Sequence, residues 1–210
     1  MTGKQTYKNT PRLRFPEFQG EWEVKRLREI AIRVNHRNKD NQSLPVLTNS
    51  ASGGIVSQQE YFDREIVTKE NLTNYSIVDV NDFVYNPRIS TAAPVGPISR
   101  NNLCIGIMSP LYTIFRFTAG CFDFFEQYFK TGCWHQYLKD KANFGARFDR
   151  MNITSEDFFN MPIPFPSLEE QQRIAQSLLE LDELIKTNNE KLDFLEAHKK
   201  GLMQQIFPCI

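Results

Sequence analysis

SLEEQQRIAQSLLELDELIKTNNEKLDFLEAHKKGLMQQIF, residues 167–207, is the stretch on which the fold turns. Pro162, Pro164 and Pro166 precede it, Pro208 follows, and no proline interrupts it. Ser167 and Glu170 form a capping-box pair. The hydroxyl accepts a free N–H of the first turn, and the carboxylate reaches back to the cap's own N–H. Glu169 and Glu170 suit the positive end of the helix dipole, and Lys199 and Lys200 lie nearer the negative end. Ile174, Leu178, Leu181, Ile185, Asn188, Leu192, Leu195, Lys199, Leu202 and Ile206 follow one another at alternating intervals of four and three. That is an unbroken heptad seam, polar only at Asn188 and Lys199. A polar residue buried in such a seam fixes register or partner at some cost in stability.

A helix of this extent is roughly 57 Å long at 1.5 Å per residue. The preceding globule does not need that length for its own core. No second helix of that length exists in the sequence, so the expected partner is a helix of another chain. The alternative is a long surface helix packed on its own domain.

The rest of the chain reads as a mixed domain, giving an α+β fold class. Residues 1–20 form an irregular leader broken by Pro11, Pro16 and Gly20 and pinned to the body by Leu13, Phe15 and Phe18. Residues 21–166 form the globular domain, and 167–208 the long helix. Trp22–Ile32 reads as a short helix leading into a strand. Leu44–Thr48 is a short strand, followed by the small-residue turn Asn49–Gly54. Tyr75–Asn86 reads as two strands joined at Asn81-Asp82. Ile98, Leu103–Met108 and Tyr112–Phe117 supply further strands, the last apolar on both faces and hence central. Phe122–Lys141 suggests two helices broken near Thr131-Gly132, its aromatic row serving as core. Phe159–Phe165 is an edge segment because of its prolines.

The 210 residues carry equal numbers of acidic and basic side chains, yet the charge is divided. Residues 169–206 hold eight acids and five bases, so the rest is net positive by three. The positive charge concentrates in residues 1–40 and 86–150, a pattern that suits one basic face. No apolar run reaches the length of a membrane span. The start MTGKQTYKNTP lacks the apolar core of a secretory signal. Cys104, Cys121, Cys133 and Cys209 form no C-x-x-C pair, so reduced thiols, no zinc site and a cytoplasmic location are expected.

Enzyme motifs are missing. There is no phosphate-binding G-x-x-x-x-G-K-[ST] loop, no G-x-G-x-x-G and no G-x-S-x-G elbow. Asn86-Pro87-Arg88 begins like the Asn-Pro-Pro-aromatic motif of amino-methyltransferases but lacks the second proline and the aromatic. His36, His135 and His198 are far apart in sequence. What remains is a set of loops rich in the residue types that bond phosphates and base edges. The candidates are Asn35, Arg37 and Lys39 in the first loop and Ser50 and Ser52 in the second. Arg88, Ser90 and Thr91 lie in the third, followed by Arg100 and Asn102, then Arg147 and Arg150.

With these residues in view, the chain closely resembles the DNA-specificity subunits of type I restriction–modification systems. The resemblance runs from Pro11 to Pro208. It is carried by PRLRFPEFQGEWEVKRLREIA, VNDFVYNPR, GIMSPLYTIFRF, GARFDRMNITSEDFFNMPIPFPSLEEQQRIAQSLLELDELI and KLDFLEAHKKGLMQQIFP. It implies that the globular part is a target recognition domain reading one part of a split site on double-stranded DNA, and that the helix is a spacer. It implies no catalysis and no cofactor in this chain. Modification subunits using S-adenosylmethionine would dock on it and methylate adenine, and restriction subunits using ATP and Mg2+ would join them. The family pattern has two recognition domains and two spacer helices, whereas this chain has one of each and reads as a half-subunit, either natural or a truncated piece. Two copies, or two different halves, are expected to pair antiparallel through Ile174, Leu178, Leu181, Ile185, Asn188, Leu192, Leu195, Leu202 and Ile206. The alternative from another class is an adaptor without DNA affinity whose coiled coil recruits a partner.

Overall fold

A computed structural model describes residues 9–58, 69–142 and 149–207. Its elements, in chain order, are β1 (Glu23–Arg26), α1 (Leu27–Ile30), β2 (Ala31–Arg33), β3 (Leu47–Ser50), β4 (Gly54–Ser57), a 3-10 helix (Lys69–Asn74), β5 (Ser76–Val78), β6 (Phe83–Tyr85) and β7 (Ile98–Arg100). They continue with β8 (Gly106–Met108), β9 (Thr113–Phe117), α2 (Phe122–Phe129), α3 (His135–Lys141), α4 (Ser155–Phe159), β10 (Pro162–Phe165) and α5 (Leu168–Ile206). This is the mixed α+β architecture with a long C-terminal helix that the sequence implies.

An antiparallel sheet in the order β2-β9-β6-β7 forms the centre. β9 lies inside it, and its alternation feeds two cores. Phe115 and Phe117, with Phe83 and Tyr85 of β6, face a large aromatic core shared with Phe125, Phe129, Trp134, Leu138 and Phe158. Ile114 and Val84, paired in register on the opposite face, join Leu47, Ile55, Val78 and Met108. A strand buried on both faces reads as a near-continuous apolar run, which is what TIFRF supplies. The aromatic row of α2 is core: Phe125 is fully buried and stacks on Phe117 with ring centroids 3.9 Å apart. The β3-β4 hairpin and the two-stranded sheet β5-β8 stand beside the central sheet, and Val46 bridges to Ile107 between them.

The sequence around Trp22 behaves differently from the expected short helix. Glu23–Arg26 is a strand paired with Pro162–Phe165, and only Leu27–Ile30 is helical. The two prolines of β10 are tolerated because, among the described residues, its only ladder is with β1. The strand expected over Leu44–Thr48 begins at Leu47, and Thr154 caps an additional helix, α4, by accepting the Asp157 N–H at 3.0 Å. Part of the expected loop Asn143–Asn152 lies outside the described residues.

α5 runs without a break over 39 residues. The Ser167 hydroxyl accepts the Glu170 N–H, as the capping pattern requires. Glu170 does not return the bond. Its buried carboxylate instead accepts from Arg14 Nε at 2.7 Å, Arg14 Nη2 at 2.8 Å and Trp22 Nε1 at 3.1 Å. These bonds hold the Glu170 carboxyl below its ordinary range, against the opposing effect of burial. Arg14 therefore pins the leader, together with half-buried Phe15 and Phe18, while Leu13 points outward at 91% exposure. Gln171, also buried, donates to Pro166 O and accepts the Cys121 N–H, so the first turns of α5 are anchored to the body, where α2 packs on them.

Candidate nucleic-acid interface

The β3-β4 hairpin and the loop after β6 face each other across a cleft of about 340 Å³. Its walls carry Thr48, Asn49 and Ser50 on one side, Asn86, Arg88 and Ser90 on the other, and Tyr112 and Arg150 alongside. The loop is held in place by backbone contacts that need glycine. Gly96 has φ +83°, and a Cβ there would lie 2.0 Å from the Asn86 carbonyl oxygen. The close approach lets the Asn86 N–H donate to Pro97 O at 3.0 Å.

Two asparagines organise the floor. Asn86 Nδ2 donates to the Asn49 carbonyl at 2.9 Å, and Asn86 Oδ1 accepts the Arg88 N–H at 3.0 Å. Asn49 is 1% exposed and donates Nδ2 to Val84 O at 2.7 Å. Its Oδ1 is buried and finds no donor among the described residues. The Tyr112 hydroxyl lies 3.0 Å from Thr48 Oγ1. Burial, and then the neighbouring Tyr112, raise the Tyr75 hydroxyl above its ordinary range.

Arg88 and Arg150 stand opposite one another on an isolated antiparallel bridge at the edge of this cleft. The bridge is closed by the Met151 N–H donating to Pro87 O and the Ile89 N–H donating to Asp149 O. Arg88 is exposed and has no ion pair among the described residues; Arg150 has only Asp149, at 3.9 Å. Other arginines are satisfied from within. Arg116 pairs with Asp82 and Asp79, each at 2.6 Å. Arg100 is held by Asn81, by Asp123 at 2.5 Å and by Glu126 at 3.4 Å.

The candidate residues read from the sequence therefore separate into groups. Ser50, Arg88, Ser90 and Arg150 share the cleft. Ser50 is largely buried, its hydroxyl accepting the Gly53 N–H at 2.7 Å, so it shapes the hairpin tip on which exposed Ser52 sits. Ser90 likewise accepts the Ala93 N–H, and Thr91 is exposed beside it. Ser50, Ser52, Arg100 and Asn102 line a neighbouring cleft of about 560 Å³ with Glu126, Lys130 and His135. There Arg100 is committed to its carboxylates, and Asn102 donates to Glu126 at 3.0 Å. Partial burial, and then the charge of Lys139, lower the His135 imidazole below its ordinary range. Asn35, Arg37 and Lys39 are exposed on a separate loop, which Arg37 ties to Ser76 by a backbone bridge. Arg147 lies outside the described residues. Asn49, Asn86, Thr48 and Tyr112 join the site without having been candidates for it; Asn86 entered the sequence reading only as the start of an incomplete methyltransferase motif.

Chemically, the cleft presents guanidinium, hydroxyl and amide groups. Such a set bonds phosphate oxygens and base edges. Among the described residues no three His, Cys, Asp or Glu side chains are placed to hold a metal, and no helix is long and apolar enough to cross a membrane.

Residues 19–197 match the family model described as the type I restriction modification DNA specificity domain. A Methanocaldococcus jannaschii sequence named as the MjaX specificity subunit of a type I restriction enzyme is 32% identical over 171 residues. The match covers 79% of this chain and 36% of that protein. The fold is similar to the HsdS subunit of Thermoanaerobacter tengcongensis, with a TM-score of 0.61 at 19% identity, over 88% of this chain and 48% of that one. A structure described under the complex assembly and conformational transition of the type I R-M system gives a TM-score of 0.60 at 18% identity, over 94% and 51%. The chain thus spans about half the length of the solved structures, and less of the curated relative. With the family model matching most of its length, the chain belongs to the type I restriction modification DNA specificity domain family.

Proposed function

We propose that this chain is a non-catalytic DNA-recognition half-subunit that directs the modification and restriction subunits of a type I complex to a specific sequence. The reading is supported above all by Arg88 and Arg150, opposed across a backbone bridge at the rim of a polar cleft whose lining holds no carboxylate among the described residues. Like charges placed directly opposite repel. A polyanion drawn between them removes that cost, and releases counterions as it binds.

In this reading double-stranded DNA lies along the β3-β4 hairpin and the loop after β6. Adenine methylation belongs to S-adenosylmethionine-using modification subunits that dock on the chain, and cleavage to restriction subunits using ATP and Mg2+. α5 is the spacer. It pairs with a second copy, or with a different half-subunit, and so sets two reading domains at a fixed distance.

The test is duplex binding by fluorescence polarisation over a salt series, with the modification subunit present. Arg88→Ala and Arg150→Ala should weaken binding. A phosphate-contacting arginine lowers the salt slope by about one unit uniformly across sequences, whereas a base-contacting one relaxes discrimination at one position. Absence of duplex binding by the starting chain, or binding indifferent to DNA sequence and unchanged in both variants, would favour the adaptor reading.

A further inference from the structure

The seam face of α5 is bare along most of its length. Leu181, Ile185, Leu192, Leu195, Leu202 and Ile206 are between 43% and 66% exposed. The body releases the helix at Asp182, whose carboxylate accepts from Gln127 Nε2 at 3.0 Å and Lys130 Nζ at 3.1 Å. Beyond that residue the side-chain hydrogen bonds of α5 among the described residues are to its own backbone.

We infer that this face docks on the same face of a second copy, antiparallel, in the register that sets Leu192 against Leu195 of the second copy. The inference rests on α5 being the self-pairing arm proposed above, in the antiparallel sense that the family resemblance implies, and adds the register. In heptad terms Leu178, Ile185, Leu192, Lys199 and Ile206 occupy the a positions, and Leu181, Asn188, Leu195 and Leu202 the d positions. A parallel, in-register pair would press Lys199 against Lys199 of the second copy inside the seam. An antiparallel pair opposes each a to a d, so only registers separated by whole heptads remain.

In the register inferred, Leu181 meets Ile206 of the second copy, Ile185 meets Leu202, Leu192 meets Leu195, and Asn188 meets Lys199. The two polar interruptions fall in one layer, repeated by symmetry, and every other layer is apolar on both sides. In the free chain Asn188 Nδ2 donates to Leu184 O at 2.9 Å, which leaves its amide oxygen to accept from the lysine ammonium. The flanks agree: Lys191 lies beside His198 of the second copy, Asn189 beside Glu196, Asp182 beside Met203 and Leu184 beside Gln205. No like-charged pair arises.

The adjacent registers fail on the same criteria. A shift of one heptad toward the body sets Asn188 against Leu192 and Lys199 against Leu181. It also brings Lys191 beside Lys191 and Asp182 beside Glu196. A shift the other way sets Lys199 against Leu195, Asn188 against Ile206, and Glu196 beside Glu196. An ammonium or amide buried against leucine without a partner is unfavourable.

The register also fixes a length. The Asp182 residues of the two copies, where each helix leaves its body, are then about 35 Å apart along the pair at 1.5 Å per residue, against about 24 or 45 Å in the adjacent registers. The turn of B-DNA is about 34–36 Å, so the two domains would meet the same face of a duplex one turn apart.

The experiment is a double-mutant cycle in dimer dissociation, measured by sedimentation equilibrium on the full chain with Asn188→Lys, Lys199→Asp and the pair combined. Asn188→Lys alone should weaken the dimer by roughly tenfold or more, because it places two ammonium groups in each polar layer. The double variant should restore affinity to within a few-fold of the starting chain, through lysine–aspartate pairs between copies. Within one helix the two positions are about 16 Å apart, too far to couple directly. Both side chains are exposed in the free chain, so folding, checked by circular dichroism, should not change. Additive effects in a chain that still dimerises would overturn the register alone. A starting chain that stays monomeric at tens of micromolar would overturn the self-pairing on which it rests.

Discussion

Replacing Gly96 by alanine should damage the fold and the cleft together. Gly96 sits at φ +83°, where an L side chain costs about 1–2 kcal/mol. The added Cβ would also lie 2.0 Å from the Asn86 carbonyl oxygen and 3.2 Å from the Pro87 carbonyl carbon. Restoring ordinary contact requires the Asn86-Pro87 backbone to retreat by roughly 1 Å or more, a distortion of the kind that costs about 1–3 kcal/mol in packed interiors. The sum, about 2–5 kcal/mol, corresponds to a melting temperature lower by about 4–20 °C for a chain of this size. The same retreat pulls Asn86 from the Asn49 carbonyl and from the Arg88 N–H, so the guanidinium at the cleft edge loses its position. Thermal unfolding by circular dichroism reads the first effect. Duplex binding well below the variant's transition reads the second. Melting and DNA affinity both unchanged in Gly96→Ala would refute the claim that this close approach builds the cleft.

Other perturbations separate the roles assigned to particular side chains. Phe125→Ala removes a fully buried ring stacked on Phe117 and should cost about 3–5 kcal/mol in urea unfolding. Arg100→Ala should destabilise the chain by freeing Asp123, Glu126 and Asn81 while leaving sequence discrimination on DNA intact, the opposite of Arg88→Ala. The Glu170 carboxyl is held below its ordinary 4.5 by Arg14 and Trp22, so its contribution to stability is present above about pH 4.5 and is lost as pH falls through the depressed folded value. Glu170→Gln should therefore lower stability near neutrality and flatten its decline as pH falls below the ordinary carboxyl range, followed by urea unfolding at each pH. Leu192→Asp should abolish dimerisation in sedimentation without lowering the melting temperature of the monomer, since Leu192 is 54% exposed there.

The long helix was fully legible because its signals are local: a cap, a proline-free run and a period of three and four. β9 and the helix pair α2-α3 were legible for the same reason, since TIFRF and FDFFEQYF announce what they bury. The strand at Glu23–Arg26 was not, because it exists only through its ladder with Pro162–Phe165, far away in sequence. Glu170 gave a misleading local signal. The capping pattern is real, but Arg14 and Trp22 outcompete the cap N–H for its carboxylate. The cleft shows the same limit. Arg88, Ser90 and Arg150 could be nominated by residue type, but the same criterion nominated Arg100, whose partners arrive from α2 and from the β5-β6 turn. Asn49 was hidden because it read as the start of a small-residue turn, whereas it lies buried in β3, and Asn86 because it was weighed only as the start of an incomplete methyltransferase motif.

The central claim is that this chain reads DNA sequence. The most direct measurement is selection from a randomised duplex pool by the purified chain with its modification subunit, followed by sequencing. The account predicts enrichment of one short sequence in two inverted copies about one helical turn apart, lost or relaxed in Arg88→Ala. Recovery of duplexes with no enriched sequence, equally by the starting chain and by Arg88→Ala, would contradict it.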